Sequence, residues 1–110
     1  MPKYIKADQF FYPQGIRQGG YLEIKDRKFG KLVNEVPADA EVIDYTGYSI
    51  APGLVDTHIH GFGGVDVMDN NIEGTLHTMS EGLLTTGVTS FLPTTLTSSY
   101  ELLLAVTENI

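Results

Sequence analysis

Apolar and polar residues alternate in short runs through the first half of the chain, a pattern typical of β-strands. Glycine and proline separate these runs, so we predict strands over residues 4–12, 21–25, 29–33 and 41–45, the last ending at Thr46-Gly47. Their spacing near ten residues favours an antiparallel sheet, such as half of a sandwich or an open barrel. Since Pro52 and Gly53 interrupt regular structure, the first predicted domain covers residues 1–53.

Strand and helix patterns alternate in residues 54–110, the second predicted domain. Strands are predicted over 54–60 and 88–92, and the first should turn Val55, Thr57 and Ile59 toward covering helices. Such β-α-β-α units form parallel sheets that are buried on both faces. Two units leave much of that surface uncovered. We therefore expect these units to be the opening of a larger α/β fold. The chain is too short for a complete (β/α)₈ barrel, which needs about 200 residues.

Both predicted helices begin at a capping-box pattern. The first helix runs from about residue 71 to 86, with Asn70 as its cap and Glu73 as the second residue of the capping box. In the second helix the corresponding residues are Ser98 and Glu101. The predicted inner faces are Ile72, Leu76, Met79 and Leu83 in the first helix, and Leu102, Leu103, Val106 and Ile110 in the second.

The chain of 110 residues has a net charge of −7 that is unevenly distributed. All seven Lys and Arg residues lie in positions 1–31, which carry +4, whereas positions 32–110 have eleven acidic residues and carry −11. Four net positive charges spread along predicted strands are not the clustered basic surface that binds nucleic acid. No apolar run approaches the ~20 residues of a membrane span, and the polar start is unlike a signal peptide. We therefore expect a cytoplasmic protein with neither nucleic acid nor membrane as partner.

The candidate chemistry lies at the end of the first predicted parallel strand, where Asp56, His58 and His60 share one face. Cβ atoms two residues apart lie about 6–7 Å from each other, so both imidazoles can reach one metal ion. Asp56 is expected to orient an imidazole or to bind the metal itself. The alternative is a pair of partly buried, hydrogen-bonded histidines. The position before a glycine-rich loop raises the case for metal, because α/β folds bind ligands there.

Other polar residues are expected to serve the structure. Gly61–Gly64 lacks the spacing of a dinucleotide-binding loop; it is expected to form a strand-to-helix turn with positive φ, or to let the backbone approach a ligand closely. Asp66 and Asp69 are predicted to be turn and cap residues, His77 a surface residue, and the hydroxyls of residues 94–99 turn and cap groups. No Ser or Thr has a convincing base partner, so a nucleophilic triad is not supported.

The run APGLVDTHIH at residues 51–60 resembles the opening signature of the amidohydrolase superfamily of metal-dependent hydrolases. Two further blocks, GFGGVDVMD at 61–69 and GVTSFLPTT at 87–95, resemble its N-acetylglucosamine-6-phosphate deacetylase family. The predicted N-terminal strands also look like that family's small β-domain. The resemblance implies that residues 1–53 are part of a small β-sandwich and that residues 54–110 are the first two β/α units of a TIM-like barrel.

The resemblance also implies an activity, the hydrolysis of N-acetylglucosamine 6-phosphate to glucosamine 6-phosphate and acetate in amino-sugar catabolism. His58 and His60 match the family's first-strand ligands of a divalent metal, zinc or iron, and two histidines there imply one or two metals per active site. The family's general acid/base, further metal ligands and phosphate-binding residues come from later segments. We therefore expect an N-terminal fragment with no catalytic residue of its own, inactive alone and homo-oligomeric because its strands are uncovered.

Two alternatives stay open. Another amidohydrolase, dihydroorotase-like or amidase-like, would share only the H-x-H strand. A non-catalytic β/α assembly module would use both histidines structurally.

Overall fold

A computed structural model describes residues 2–69 and 73–110, and the chain forms two compact units, Met1–Pro52 and Gly53–Ile110. The strands of the first unit are β1 (Lys3–Tyr12), β2 (Gly15–Gln18), β3 (Tyr21–Lys25), β4 (Lys28–Val33) and β5 (Glu41–Ile50). The elements of the second unit are β6 (Leu54–Ile59), β7 (Gly61–Phe62), β8 (Val65–Asp66), α1 (Thr75–Leu84), β9 (Val88–Pro93) and α2 (Tyr100–Asn109).

The first unit is a five-stranded sheet organised around β1. One edge of β1 pairs antiparallel with β3 along its first part and with β2 along its last, and β4 continues the sheet from β3. The other edge pairs with β5, which runs parallel to β1. The prediction of an antiparallel sheet is therefore wrong for β5, because the chain crosses from β4 to the far edge of β1 before β5 begins.

β5 is longer than predicted and continues past Gly47 to Ile50. The pairing slips between Ala7 and Gln9 of β1, opposite Tyr45 and Ser49, so that two steps along β1 correspond to four along β5. Gly47 lies in this bulge with a φ of 90°, which a residue without a side chain adopts at little cost. The Thr46-Gly47 pair therefore marks an irregularity inside the strand and not its end.

In the second unit, β6 and β9 form a parallel pair, as predicted. The helix between them starts later than expected, at Thr75, after Gly74 in the left-handed region at φ 80°. The proposed cap Asn70 and the inner-face residue Ile72 lie outside the described residues. The second helix is capped by Ser99 and not by Ser98, since the Ser99 hydroxyl accepts a hydrogen bond from the Leu102 N–H at 3.3 Å.

The core of the second unit consists of the buried residues Val67, Met79 and Val106, with Ile59, Phe62, Leu76, Phe91 and Leu102 packed against them. This confirms most of the two predicted inner faces. The prediction is wrong for Ile110, which is 55% exposed at the end of α2. It is also wrong for Val55 and Thr57 on β6, because Val55 is 63% exposed and Thr57 is exposed as well. Among the described residues, none of the helices is long and apolar enough to cross a bilayer.

Candidate metal centre

The side chains of His58 and His60 converge at the carboxyl end of β6. Because they are two residues apart on a strand, they leave the same face, and their ring centroids lie 4.9 Å apart. Their Nε2 atoms face each other at 3.1 Å. His58 is exposed and His60 is half-buried, so the pair is open to an incoming ligand.

Thr94, the first residue after β9, holds the second imidazole. The Nδ1 atom of His60 lies 3.0 Å from the carbonyl oxygen of Thr94. A carbonyl only accepts hydrogen bonds, so this contact places the proton of the neutral ring on Nδ1 and leaves a lone pair on Nε2. That is the form in which an imidazole binds a metal through Nε2.

Asp56 was expected to orient an imidazole or to bind the metal, but it contacts the backbone of His58 instead. Its Oδ1 atom accepts a hydrogen bond from the backbone N–H of His58 at 3.1 Å. A short carboxylate readily reaches the N–H two residues along the chain. Asp56 therefore supports the backbone that carries the first histidine, and residues 2–69 and 73–110 contain no cluster of three or more His, Asp or Glu side chains arranged for metal.

The two imidazoles fit a divalent cation. Two nitrogens bound at about 2.0–2.1 Å with a tetrahedral angle between them lie about 3.3 Å apart, close to the observed 3.1 Å. The fit rests on nitrogen donors, which suit zinc and iron better than they suit magnesium or calcium. A cation bound here would act as a Lewis acid and would lower the pKa of a water molecule bound to it to near neutrality. The two histidines would fix its position at the end of the strand.

The remaining polar residues have the structural roles predicted for them. Asp66 and Asp69 close a turn, with Asp66 Oδ1 accepting from the Met68 N–H and Asp69 Oδ2 from the Asp66 N–H, both at 2.8 Å. His77 is exposed on α1, with its Nε2 atom 3.3 Å from Glu81 Oε1. None of these side chains reaches the two histidines.

The glycine-rich loop after His60 forms a small hairpin of β7 and β8. Gly63 and Gly64 occupy its two-residue turn with φ of 66° and 87°, the conformation of a type I′ turn. The predicted positive φ is confirmed, but the turn joins two short strands and not a strand to a helix. The Val67 N–H donates to the His60 carbonyl at 2.8 Å, so the hairpin closes directly onto the strand end.

Sequence reasoning missed Thr94 as a partner of His60. The hydroxyl residues 94–99 were expected to supply turn hydrogen bonds and a helix cap. Thr94 makes such a turn bond to the Leu92 carbonyl, and Ser99 caps α2. The available signal was positional, because residues that follow neighbouring parallel strands lie side by side at the same end of a sheet.

No family model matches the chain. The chain is 37% identical over 86 residues to the N-acetylglucosamine-6-phosphate deacetylase of Bacillus subtilis (strain 168), covering 76% of this chain and 22% of that protein. It is 35% identical over 79 residues to the enzyme of the same name from Lysinibacillus sphaericus, covering 71% of this chain and 20% of that protein. The chain thus spans about a fifth of the length of the curated relatives it matches.

Solved structures agree with the sequence comparison. The crystal structure of N-acetylglucosamine-6-phosphate deacetylase from Pasteurella multocida matches 98% of this chain with a TM-score of 0.88 at 26% identity, and the match covers 29% of that chain. A dihydroorotase from Bacillus thuringiensis (strain Al Hakam) is 52% identical, but over only 40 residues, which are 36% of this chain and 9% of that protein. The resemblance inferred from the motifs is confirmed: the chain is homologous to part of N-acetylglucosamine-6-phosphate deacetylase, in the amidohydrolase superfamily.

Proposed function

We propose that this chain is the N-terminal part of an N-acetylglucosamine-6-phosphate deacetylase, a cytoplasmic hydrolase that releases acetate and glucosamine 6-phosphate in amino-sugar catabolism. The observation that carries the proposal is the convergence of His58 Nε2 and His60 Nε2, 3.1 Å apart, at the end of a parallel strand. Residues 1–53 belong to a small β-sandwich, and residues 54–110 are the first two β/α units of a TIM-like barrel.

Within that enzyme the chain holds the metal. His58 and His60 supply two nitrogen ligands to zinc or iron, with one or two metals per active site, and Thr94 and Asp56 keep the ligands in place. Acetamide hydrolysis also needs a general acid/base and a cation for the substrate phosphate. Positions 32–110 contain no Lys or Arg, so the phosphate-binding groups belong to other segments of the enzyme.

A dihydroorotase-like activity is the second candidate. The observation that favours it is the identity of 52% over 40 residues with a dihydroorotase. Both reactions hydrolyse an amide at a metal centre, and the two candidates differ in substrate, since one takes an acyclic acetamide on a sugar phosphate and the other a cyclic amide.

The test is an assay of the protein that carries this chain, supplied with Zn²⁺ or Fe²⁺. We expect acetate release from N-acetylglucosamine 6-phosphate, much slower release from N-acetylglucosamine without the phosphate, and no hydrolysis of dihydroorotate. Replacing His58 or His60 by alanine should lower kcat/KM by more than the roughly 10–100-fold typical of losing a supporting group, and should lower bound metal as well. The matched control is His77→Ala, which removes an exposed histidine of the same unit.

A second arm tests the chain itself by transplanting it. In a chimera, residues 1–110 replace the aligned part of the Bacillus subtilis relative, and this chimera should hydrolyse N-acetylglucosamine 6-phosphate, whereas the 110-residue chain alone should not. Hydrolysis of dihydroorotate by the intact protein would favour the second candidate. A protein that binds metal through neither histidine would leave only a structural role for them.

A further inference from the structure

Thr94 makes three hydrogen bonds to Ile59, the last residue of β6, and to His60, which follows it. Its N–H donates to the Ile59 carbonyl at 2.8 Å, its Oγ1 accepts from the Ile59 N–H at 3.2 Å, and its carbonyl lies 3.0 Å from His60 Nδ1. The Oγ1 atom also lies 3.1 Å from the Leu92 carbonyl, to which the hydroxyl donates. One residue thus uses its backbone and its side chain to fix the segment that carries a metal ligand.

The pairing of β6 with β9 is irregular just before this point. Asp56 pairs with Phe91 and Ile59 with Pro93, so three steps along β6 correspond to two along β9. Pro93 has no N–H, and the strand pairing therefore lacks a donor where the register has slipped. The Thr94 hydroxyl, bonded to both strands, compensates by tying Ile59 to the end of β9.

The consequence reaches the imidazole of His60 through the Thr94 carbonyl. That carbonyl fixes the proton on Nδ1 and sets the ring so that Nε2 faces His58. If the hydroxyl were absent, Thr94 would keep only its N–H bond to Ile59, and its carbonyl would be free to turn away from the ring.

We propose that Thr94 is a positioning residue for the metal ligand His60, selecting the Nδ1–H tautomer and aiming Nε2 at the metal. The inference rests on the proposed metal site, but the tautomer is a property of the protein that is measurable with or without metal. Supporting groups of this kind typically change metal affinity by about 10–100-fold.

The first experiment measures the tautomer in the unmodified protein that carries the chain. With ¹⁵N-labelled histidine, two-bond ¹H–¹⁵N spectra distinguish a ring protonated on Nδ1 from one protonated on Nε2, and the His60 signals are assigned with a His60→Gln variant. We expect the Nδ1–H form without metal and coordination through Nε2 with Zn²⁺. A ring protonated on Nε2, or zinc bound through Nδ1, overturns the proposal whatever any variant does.

The second experiment removes the hydroxyl and restores it. Thr94→Val keeps the branched shape and should weaken Zn²⁺ binding, measured by competition with a chelator, about tenfold while mixing the His60 tautomers. Thr94→Ser should restore both properties, and Thr97→Val, in the same loop and exposed, should change neither.

The outcomes separate the positioning role from the proposed function. Unchanged His60 signals and zinc affinity within twofold in Thr94→Val overturn the positioning role. A wild-type protein that binds neither Zn²⁺ nor Fe²⁺, yet whose His60 tautomer responds to Thr94→Val and recovers in Thr94→Ser, supports positioning and refutes the metal-dependent activity. If Thr94→Val fails to fold, the wild-type tautomer decides the matter.

Discussion

At the scale of single residues, local hydrogen bonds decide what each carboxylate does. Asp44 is the clearest case, because its Oδ1 atom accepts from the hydroxyl of Thr46 at 2.5 Å and from the Thr46 N–H at 2.8 Å. The hydroxyl bond is the largest cause that lowers the pKa of Asp44 below the ordinary 3.8, followed by the N–H bond, with the charge of Lys6 adding less.

This lowered pKa predicts how stability depends on pH. A carboxyl with a lower pKa in the folded state stabilises the fold above its unfolded pKa, and that contribution is lost as the pH falls through the folded pKa. In Thr46→Val the pKa of Asp44 should rise toward 3.8, and the difference in unfolding free energy between wild type and variant should shrink on acidification below that value. Denaturant titrations across pH and a ¹³C titration of the carboxyl measure both effects. In an Asp44→Asn background, the effect of Thr46→Val should not vary with pH.

The same locality explains how much of the site the sequence could reveal. The two histidines share a face because a strand repeats every two residues, and this needs no knowledge of distant contacts. Asp56 was expected to orient an imidazole or bind metal, but its Oδ1 accepts a hydrogen bond from the His58 N–H, a donor only two residues along the chain. Thr94 could not be found in this way, since it lies 34 residues from His60 and acts through a backbone carbonyl.

The number of histidines at the site predicts how tightly the isolated chain binds zinc. A catalytic zinc normally has three protein ligands, and no third His, Asp or Glu joins the pair within residues 2–69 and 73–110. The isolated 110-residue chain should therefore bind zinc weakly, and the full-length deacetylase proposed above should bind it tightly. Calorimetry that shows tight one-to-one binding by the monomeric chain would contradict this.

At the scale of elements, α1 packs closely on the hairpin that follows His60. Gly82, in the last turn of the helix, allows this approach, because a Cβ atom there would lie 2.9 Å from both Cδ1 and Cε1 of Phe62. A glycine inside a helix costs about 1 kcal/mol relative to alanine. The close contact with the Phe62 ring gives a physical reason for accepting that cost.

A double-mutant cycle tests this reason. Gly82→Ala alone should destabilise the fold by about 1 kcal/mol, because the overlap with Phe62 outweighs the gain in helix propensity. In a Phe62→Ala background the same substitution should stabilise it by about 1 kcal/mol, because only the propensity gain is left. Unfolding free energies of the four proteins measure the coupling, and equal effects of Gly82→Ala in both backgrounds would rule out the packing explanation.

Element types were easier to predict than element ends and partners. The period of apolar residues identified β3, β9 and both helices, but the cap of α2 moved from Ser98 to Ser99, since both serines lie at plausible distances from the first turn. The direction of β5 was not predicted, because parallel strands are usually buried on both faces and strongly apolar, whereas β5 is parallel to β1 but mixed in polarity and largely exposed. The hairpin of β7 and β8 has only two residues per strand, too few to show a period.

At the scale of the whole molecule, the second unit exposes apolar side chains on its strands. Leu54 and Val55 on β6 are 61% and 63% exposed, and Leu92 on β9 is 58% exposed. Within the described part of the chain, β6 and β9 pair only with each other, so each has an edge without a neighbouring strand. Such surfaces invite pairing with another chain or segment.

Free-energy magnitudes indicate what the 110-residue chain does when it is alone in solution. Full burial of a Leu or Val side chain is worth about 1.5–3 kcal/mol, and three of them left wet approach the ~5–15 kcal/mol of a small domain's total stability. The chain should therefore self-associate at low micromolar concentration through residues 54–110, with sedimentation coefficients that rise with concentration. Val55→Lys together with Leu92→Lys should shift it toward the monomer, whereas Thr97→Lys, also exposed, should not. A monomer that unfolds cooperatively at every concentration would show that these strands need no partner, and would remove the physical reason for expecting further barrel segments against them.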